Sequence, residues 1–170
     1  MRSYLTVAVA LAIASTRLLA QHVAQDDAKW VDECRDHDWN DHPRYCEVRV
    51  EHLPKAAGSL NIDARENGAI EVIGGSTSDI VVHELVEAEG STEADAKELA
   101  SQVHVTTTGG RIHADGPPQN GRRHSWTVSY RIEVAHSSVN ITAESTNGPV
   151  EAGDVAGELD LRTEDGPISL

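Results

Sequence analysis

Two cysteines, Cys34 and Cys46, enclose the segment RDHDWNDHPRY and are the only thiols in the 170-residue chain. Thiols this close can do two kinds of chemistry. In an oxidising compartment they join as a disulfide, which closes a short loop and stabilises the fold by roughly 2 to 3 kcal/mol through lost unfolded-chain entropy. With His37, His42, Asp36, Asp38 and Asp41 in the same stretch they could instead hold a metal ion. No pair has the C-x-x-C spacing of structural zinc sites, so the disulfide is the expectation and the metal site the alternative.

Carboxylates near arginine are the second chemical possibility. Polysaccharide lyases and hydrolases need clustered acids beside Arg or Lys, or paired carboxylates across a groove. Glu144, Asp160, Arg162 and Glu164 satisfy the residue types. Polar alternation along a strand explains them as well, with a cross-strand charge pair worth only a few tenths of a kcal/mol. The sequence contains no Gly-x-Ser-x-Gly elbow, phosphate-binding glycine loop or His-Glu-x-x-His. Its nine histidines run from His22 to His136 without ligand spacing. Asn140-Ile141-Thr142 matches a glycosylation sequon but falls inside an expected strand. Trp126 and Tyr130 could stack a sugar, yet their place in an alternating run predicts burial on one face. No catalytic group, cofactor or metal is therefore expected.

The cellular address comes from the first twenty residues. Arg2 supplies a positive end, Leu5 to Ser15 is an apolar run, and Ala20 offers a small residue before Gln21. That is the pattern of a cleaved export signal, and Arg17 interrupts the run too early for a spanning helix of about 20 apolar residues. The formal net charge is −14, and loss of residues 1–20 would leave 12 basic against 28 acidic side chains, or −16. So acidic a surface repels phosphate backbones and anionic lipid, which excludes nucleic acid as an expected partner. With no Phe, the core must be built from Val, Ile, Leu and Ala, which favours thin layers.

The elements that position these groups are announced by a repeat. ITAESTNGPVEA (Ile141 to Ala152) aligns without a gap on LDLRTEDGPISL (Leu159 to Leu170), 18 residues on. LNIDARENGAIEVIGG (Leu60 to Gly75) has the same grammar, with its first arm one residue closer to the glycine. Asn-Gly between alternating arms ordinarily makes a two-residue hairpin. A tight turn over Asn147-Gly148, or over Asp165-Gly166, would close through the N–H of the next residue, and that residue is Pro149 or Pro167. Neither has an N–H. The chain is therefore expected to bend onward at these corners, stacking like arms in parallel. After Asn67-Gly68 comes Ala69, where a hairpin remains allowed.

Between the repeats, Asp79 to Ala88 reads as a strand and Ser91 to Val103 as a helix capped by Ser91 or Thr92. A strand pair is expected around Gly109-Gly110, a loop at PPQNGRRHS, and the clearest strand at Trp126 to Val134.

These segments, in the order CEVRV, LNIDARENGAIEV, DIVVHELVEAEG, WTVSYRIEV and VNITAESTNGPVEAGDVAGELDLRTEDGPISL, resemble the exported bacterial β-strand-repeat proteins of the DUF4097 type, the "putative adhesin" group. The resemblance covers Lys29 to Leu170 and implies a parallel β-helix or solenoid without an established activity. Such proteins usually continue with further Asn-Gly or Asp-Gly turns, so the stop at Leu170 implies a truncated reading. The expectation is an all-β chain with one short helix, a parallel β-solenoid incomplete at its C-terminal end. Its divisions are a signal peptide (1–20), an N-terminal segment with the Cys34–Cys46 loop (21–55) and an adhesin-like domain (56–170). Its expected role is surface binding or structure, exported to the periplasm or cell surface, with envelope or surface macromolecules as partners and no membrane span after cleavage. A carbohydrate-active β-helix enzyme and an envelope scaffold or stress component are the alternatives.

Overall fold

A computed structural model describes residues 25–36, 42–53, 58–75, 79–119, 121, 124–135 and 139–170. The proposed signal peptide, and His37, Asp38 and Asp41 of the cysteine loop, lie outside the described residues. Two helices and eleven strands are present among those described. Helix α1 spans 25–36. The strands are β1 (Arg44–Leu53), β2 (Ser59–Asp63), β3 (Ile70–Gly75) and β4 (Ile80–Glu89), then, after helix α2 (Glu93–Ser101), β5 (His104–Thr106), β6 (Arg111–Asp115), β7 (Ser125–Ala135), β8 (Asn140–Ser145), β9 (Val150–Gly153), β10 (Leu159–Thr163) and β11 (Ile168–Ser169).

Two sheets share one core. The six-stranded sheet has the order β1-β4-β7-β3-β9-β11 and the five-stranded sheet the order β10-β8-β2-β6-β5. Strict alternation drives the layering, because a period of 2 puts every second side chain on one face. In β7, Trp126, Val128, Tyr130, Ile132 and Val134 are buried, while the residues between them are only half-buried. They meet Ile62, Ile112 and Ile141 of the other sheet in one apolar cluster. Burial of each such aliphatic side chain contributes about 1.5 to 3 kcal/mol.

The parallel β-solenoid is overturned. The sheets are mixed: β1 with β4, β4 with β7 and β5 with β6 pair antiparallel, whereas β3, β7, β9 and β11, and β2, β6, β8 and β10, pair in parallel. The arrangement is a mixed α/β one with two helices instead of one. The physical reason lies in β4, whose ten residues follow β3 and turn back against β7, so that the chain doubles on itself before the next parallel arm arrives. Within the parallel part the 18-residue register does hold. Ile141 sits beside Leu159 and Ala143 beside Leu161. Leu60 occupies the equivalent place on the other side of Ile141.

The helices seal opposite faces of the six-stranded sheet. Thr92 caps α2, its hydroxyl accepting the Asp95 N–H at 3.1 Å, and Leu99 and Ala100 join the main core. On the outer face, Cys34 and Trp30 of α1 pack with Cys46, Val48 and Leu85 in a second small cluster. Cys34 and Cys46 are disulfide-bonded across a 6.3 Å Cα separation.

Candidate binding surface

Corners connect the sheets. Where β8 turns into β9, the Ser145 hydroxyl accepts the Gly148 N–H at 3.0 Å and donates to the Gly68 carbonyl at 2.8 Å. Thr163 repeats this 18 residues later, accepting the Gly166 N–H at 3.0 Å and donating to the Gly148 carbonyl at 3.1 Å. A Cβ on Gly148 or Gly166 would collide with the glycine carbonyl of the preceding corner, so only glycine allows this approach. Asn147 donates from its side-chain amide to Asn67 at 2.9 Å, and Asp165 binds the same stack through its N–H to the Thr146 carbonyl at 2.9 Å. Pro149 and Pro167 lack a donor, and their carbonyls accept from Ile70 and Val150 at 2.9 and 3.0 Å. Asn67-Gly68 also makes a corner, since β2 and β3 lie in different sheets.

One end of this stack opens into a pocket. Arg65 holds a φ of 55°, a left-handed conformation that non-glycine residues seldom adopt, and Asp63 accepts its N–H at 2.8 Å. Its guanidinium donates to the Ala114 carbonyl and to Asp115, both at 2.7 Å, and lies 5.6 Å above the Trp126 ring. Beneath it is a cavity of about 50 Å³ walled by Asn67, Gln119, Trp126 and Tyr130 among others. The indole N–H of Trp126 donates to the Pro117 carbonyl at 2.9 Å, so the ring is fixed rather than free to stack a ligand on its face. A groove of about 290 Å³ meets the pocket at Arg65 and runs past Asp63, Glu144, Thr146, Arg162 and Glu164. Arg162 stands beside Glu144 in the register but pairs with Asp160 at 2.6 Å. The four charged residues singled out in the sequence thus share one solvated region without forming a paired-carboxylate site.

A second groove, of about 300 Å³, lies between α1 and the outer sheet face and is lined by Lys29, Trp30, Glu71 and Arg131 among others. Arg131 pairs with Glu71 at 2.7 Å and stacks 4.7 Å from the Trp30 ring centre. His83 is buried there, with Nδ1 3.0 and 3.1 Å from the two oxygens of Asp27. A carboxylate can only accept, so His83 donates from Nδ1.

Three groups have disturbed proton affinity: the half-buried Tyr45, raised by burial and by its hydrogen bond to Glu47, and, inside, Glu84 and Tyr130. Arg49, Glu84, Tyr130, Ile70, Val150 and Ile168 form one cross-strand rung through the whole six-stranded sheet. Glu84 is only 2% exposed, and its Oε1 has no partner among the described residues. Burial first, then the charge of Glu51, pushes its pKa up to about 7 against the opposing pull of Arg49. Burial also raises the Tyr130 hydroxyl, with Glu84's charge adding to the effect. Arg49 is committed to the end of α2, donating to the carbonyls of Val103 and Ala100 at 2.7 and 2.9 Å. Sequence reading missed Glu84, Arg65 and His83. Glu84 carried a usable signal, for it stands at an inward position of the run IVVHELVEA, in register with Val82 and Val86.

No known family model matches the sequence, and no curated protein matches it, so the DUF4097 assignment is not confirmed. In shape the chain is similar to a "putative cell adhesion protein" from Clostridium sporogenes, at 12% identity and TM-score 0.45, over 74% of this chain and 58% of that one. It is similar also to a "putative adhesin" from Parabacteroides distasonis, at 9% identity and TM-score 0.40, over 69% and 53%. A third likeness is to a "putative lipid binding protein" from the same organism, at 10% identity and TM-score 0.32, over 72% and 59%. The chain spans somewhat over half the length of these proteins. Identities and scores this low carry no inference about function. Among the described residues no helix is long and apolar enough to cross a membrane.

Proposed function

We propose that the chain is an exported, non-catalytic module that acts by binding through its surface. One contrast carries this reading. Glu84, the carboxyl whose proton affinity burial raises, is sealed between the sheets, whereas the open grooves are lined by charged side chains on strands, such as the paired Arg131 and Glu71. Catalysis wants the reverse, a tuned acid or base at the place a substrate can reach. Fixed, charge-paired strands offer a preformed surface that loses little entropy when a partner docks.

Export is supported by the Cys34–Cys46 bond, which persists where thiols are not kept reduced, together with the apolar run at Leu5 to Ser15. The expected partners are envelope or surface macromolecules, and an acidic surface disfavours nucleic acid. Purified protein applied to intact bacterial cells and isolated envelope polysaccharides tests the reading. Saturable binding without release of reducing ends is expected. Cleavage of a polysaccharide, or absence of binding to any envelope fraction, overturns it.

A further inference from the structure

The pocket beneath Arg65 is narrow in what it can admit. Its charged lining residues are Arg65 and Glu66, whose charges balance, and Asp115 already holds the Arg65 guanidinium at 2.7 Å, so an anion would find no free positive charge. A cation would meet Arg65 itself, already placed 5.6 Å over the Trp126 ring. A purely apolar group would leave the Tyr130 hydroxyl as it stands now, buried and without a hydrogen-bond partner among the described residues. An orphaned buried hydroxyl destabilises the fold, and a ligand that satisfies it recovers part of that loss. What remains is a neutral group that both donates and accepts.

Size narrows the choice further. The cavity of about 50 Å³ exceeds the roughly 10 to 15 Å³ that one water needs and is much smaller than the adjoining groove of about 290 Å³. It fits one hydroxymethyl arm. The groove that joins it at Arg65, with about 290 Å³ of room, offers Thr146, Glu144 and Arg162 to the hydroxyls of the attached rings. Exposed carboxylates and guanidinium groups accept and donate to neutral hydroxyls without requiring a charged ligand. Arg65 stores backbone strain at the junction, where its left-handed φ aims the guanidinium across the pocket mouth.

We infer that the Arg65–Trp126–Tyr130 pocket and the groove beside it bind a neutral oligosaccharide, one hydroxymethyl arm entering the pocket and the rings lying along the five-stranded sheet. This rests on the surface-binding reading and names its ligand class. Tyr130 and Gln119 would supply the hydrogen bonds in the pocket, with Trp126 as a wall instead of a stacking platform.

The test is an NMR titration of the full chain with maltose, cellobiose and lactose, with glucuronate and spermidine as charged controls. The expected result is saturable movement of the Trp126 indole N–H and the Gln119 side-chain amide with at least one neutral disaccharide and with neither control. Tyr130→Phe keeps the ring and removes an unpartnered hydroxyl, so it should fold, and it should weaken binding about 3- to 10-fold. Gln119→Ala, at an exposed position, should weaken it too. No movement with any neutral sugar, preference for a charged control, or equal affinity of Tyr130→Phe overturns the inference. Cell binding separates the two readings. If wild type and Tyr130→Phe hold cells equally, the pocket assignment falls and surface binding stands. If the sugar binds but no envelope fraction does, the pocket stands and surface binding falls.

Discussion

The carbonyl oxygen of Gly68 occupies the space that a Cβ on Gly148 would need, and it accepts the Ser145 hydroxyl at 2.8 Å. Two corners are thus in backbone contact. Gly148→Ala must push the stack apart and is expected to lower stability by roughly 2 to 4 kcal/mol, as overpacked or strained sites do. Gly153, in β9, has open space around its Cα, so Gly153→Ala should change stability by no more than about 0.5 kcal/mol. Urea melts of the two variants check the contrast.

Ser145→Ala removes the group that joins the Gly148 N–H to the Gly68 carbonyl. Both are buried and would lose a partner, at a cost of about 1 to 3 kcal/mol. Ser145→Thr keeps the hydroxyl, as Thr163 does in the next corner, and should retain more than half of that stability. Denaturant midpoints at constant slope measure it. Equal losses in both variants would show that the hydroxyl is not the source.

Glu84 predicts a pH dependence of definite sign. Its pKa is about 7 in the folded chain against 4.5 for an ordinary glutamate, so between those values the folded state holds a proton that the unfolded chain has released. Stability from this group is fully present below about pH 4.5 and is lost as pH rises through about 7, by roughly 1 kcal/mol per pH unit within the window. Glu84→Gln should flatten that part of the profile. A wild-type and variant pair with parallel profiles from pH 4.5 to 7 would refute the assignment.

Reduction of the Cys34–Cys46 bond should cost roughly 2 to 3 kcal/mol. The helix it anchors should show the change first. Hydrogen exchange is expected to accelerate in α1 and at Leu85 beneath it, while Ile141 and Ala143 in the main core keep their protection until global unfolding. Uniform acceleration across the chain would mean that α1 and the sheets unfold as one unit.

The parts legible in the sequence are those fixed by local chemistry. Pro149 and Pro167 withhold the hydrogen that a reversing turn needs, and the partner of Ile141 is indeed Leu159 in parallel. Thr92 announces α2, and the alternation from Trp126 to Val134 announces β7. Alternation, however, tells which face a side chain takes and not which direction the neighbouring strand runs. Hence Val82 and Val86 marked β4 as a strand without showing that it turns back on β7, and the solenoid expectation failed there. Helix α1 was also missed, although Asp27, Trp30, Val31 and Cys34 recur at helical spacing, because the cysteines drew the segment toward a loop reading. For the candidate site, Tyr130 was placed correctly in the core, while Arg65 gave no sign of its left-handed backbone.

The paired roles of Ser145 and Thr163 bear on how such a chain can change over generations. Because each hydroxyl makes the same two bonds one storey apart, a duplication of eighteen codons at that end would repeat this pair of bonds at the new corner. An equal edit through β4 would sever pairing on both of its flanks. A storey added at that end therefore disrupts less hydrogen bonding than an equal change in the antiparallel part.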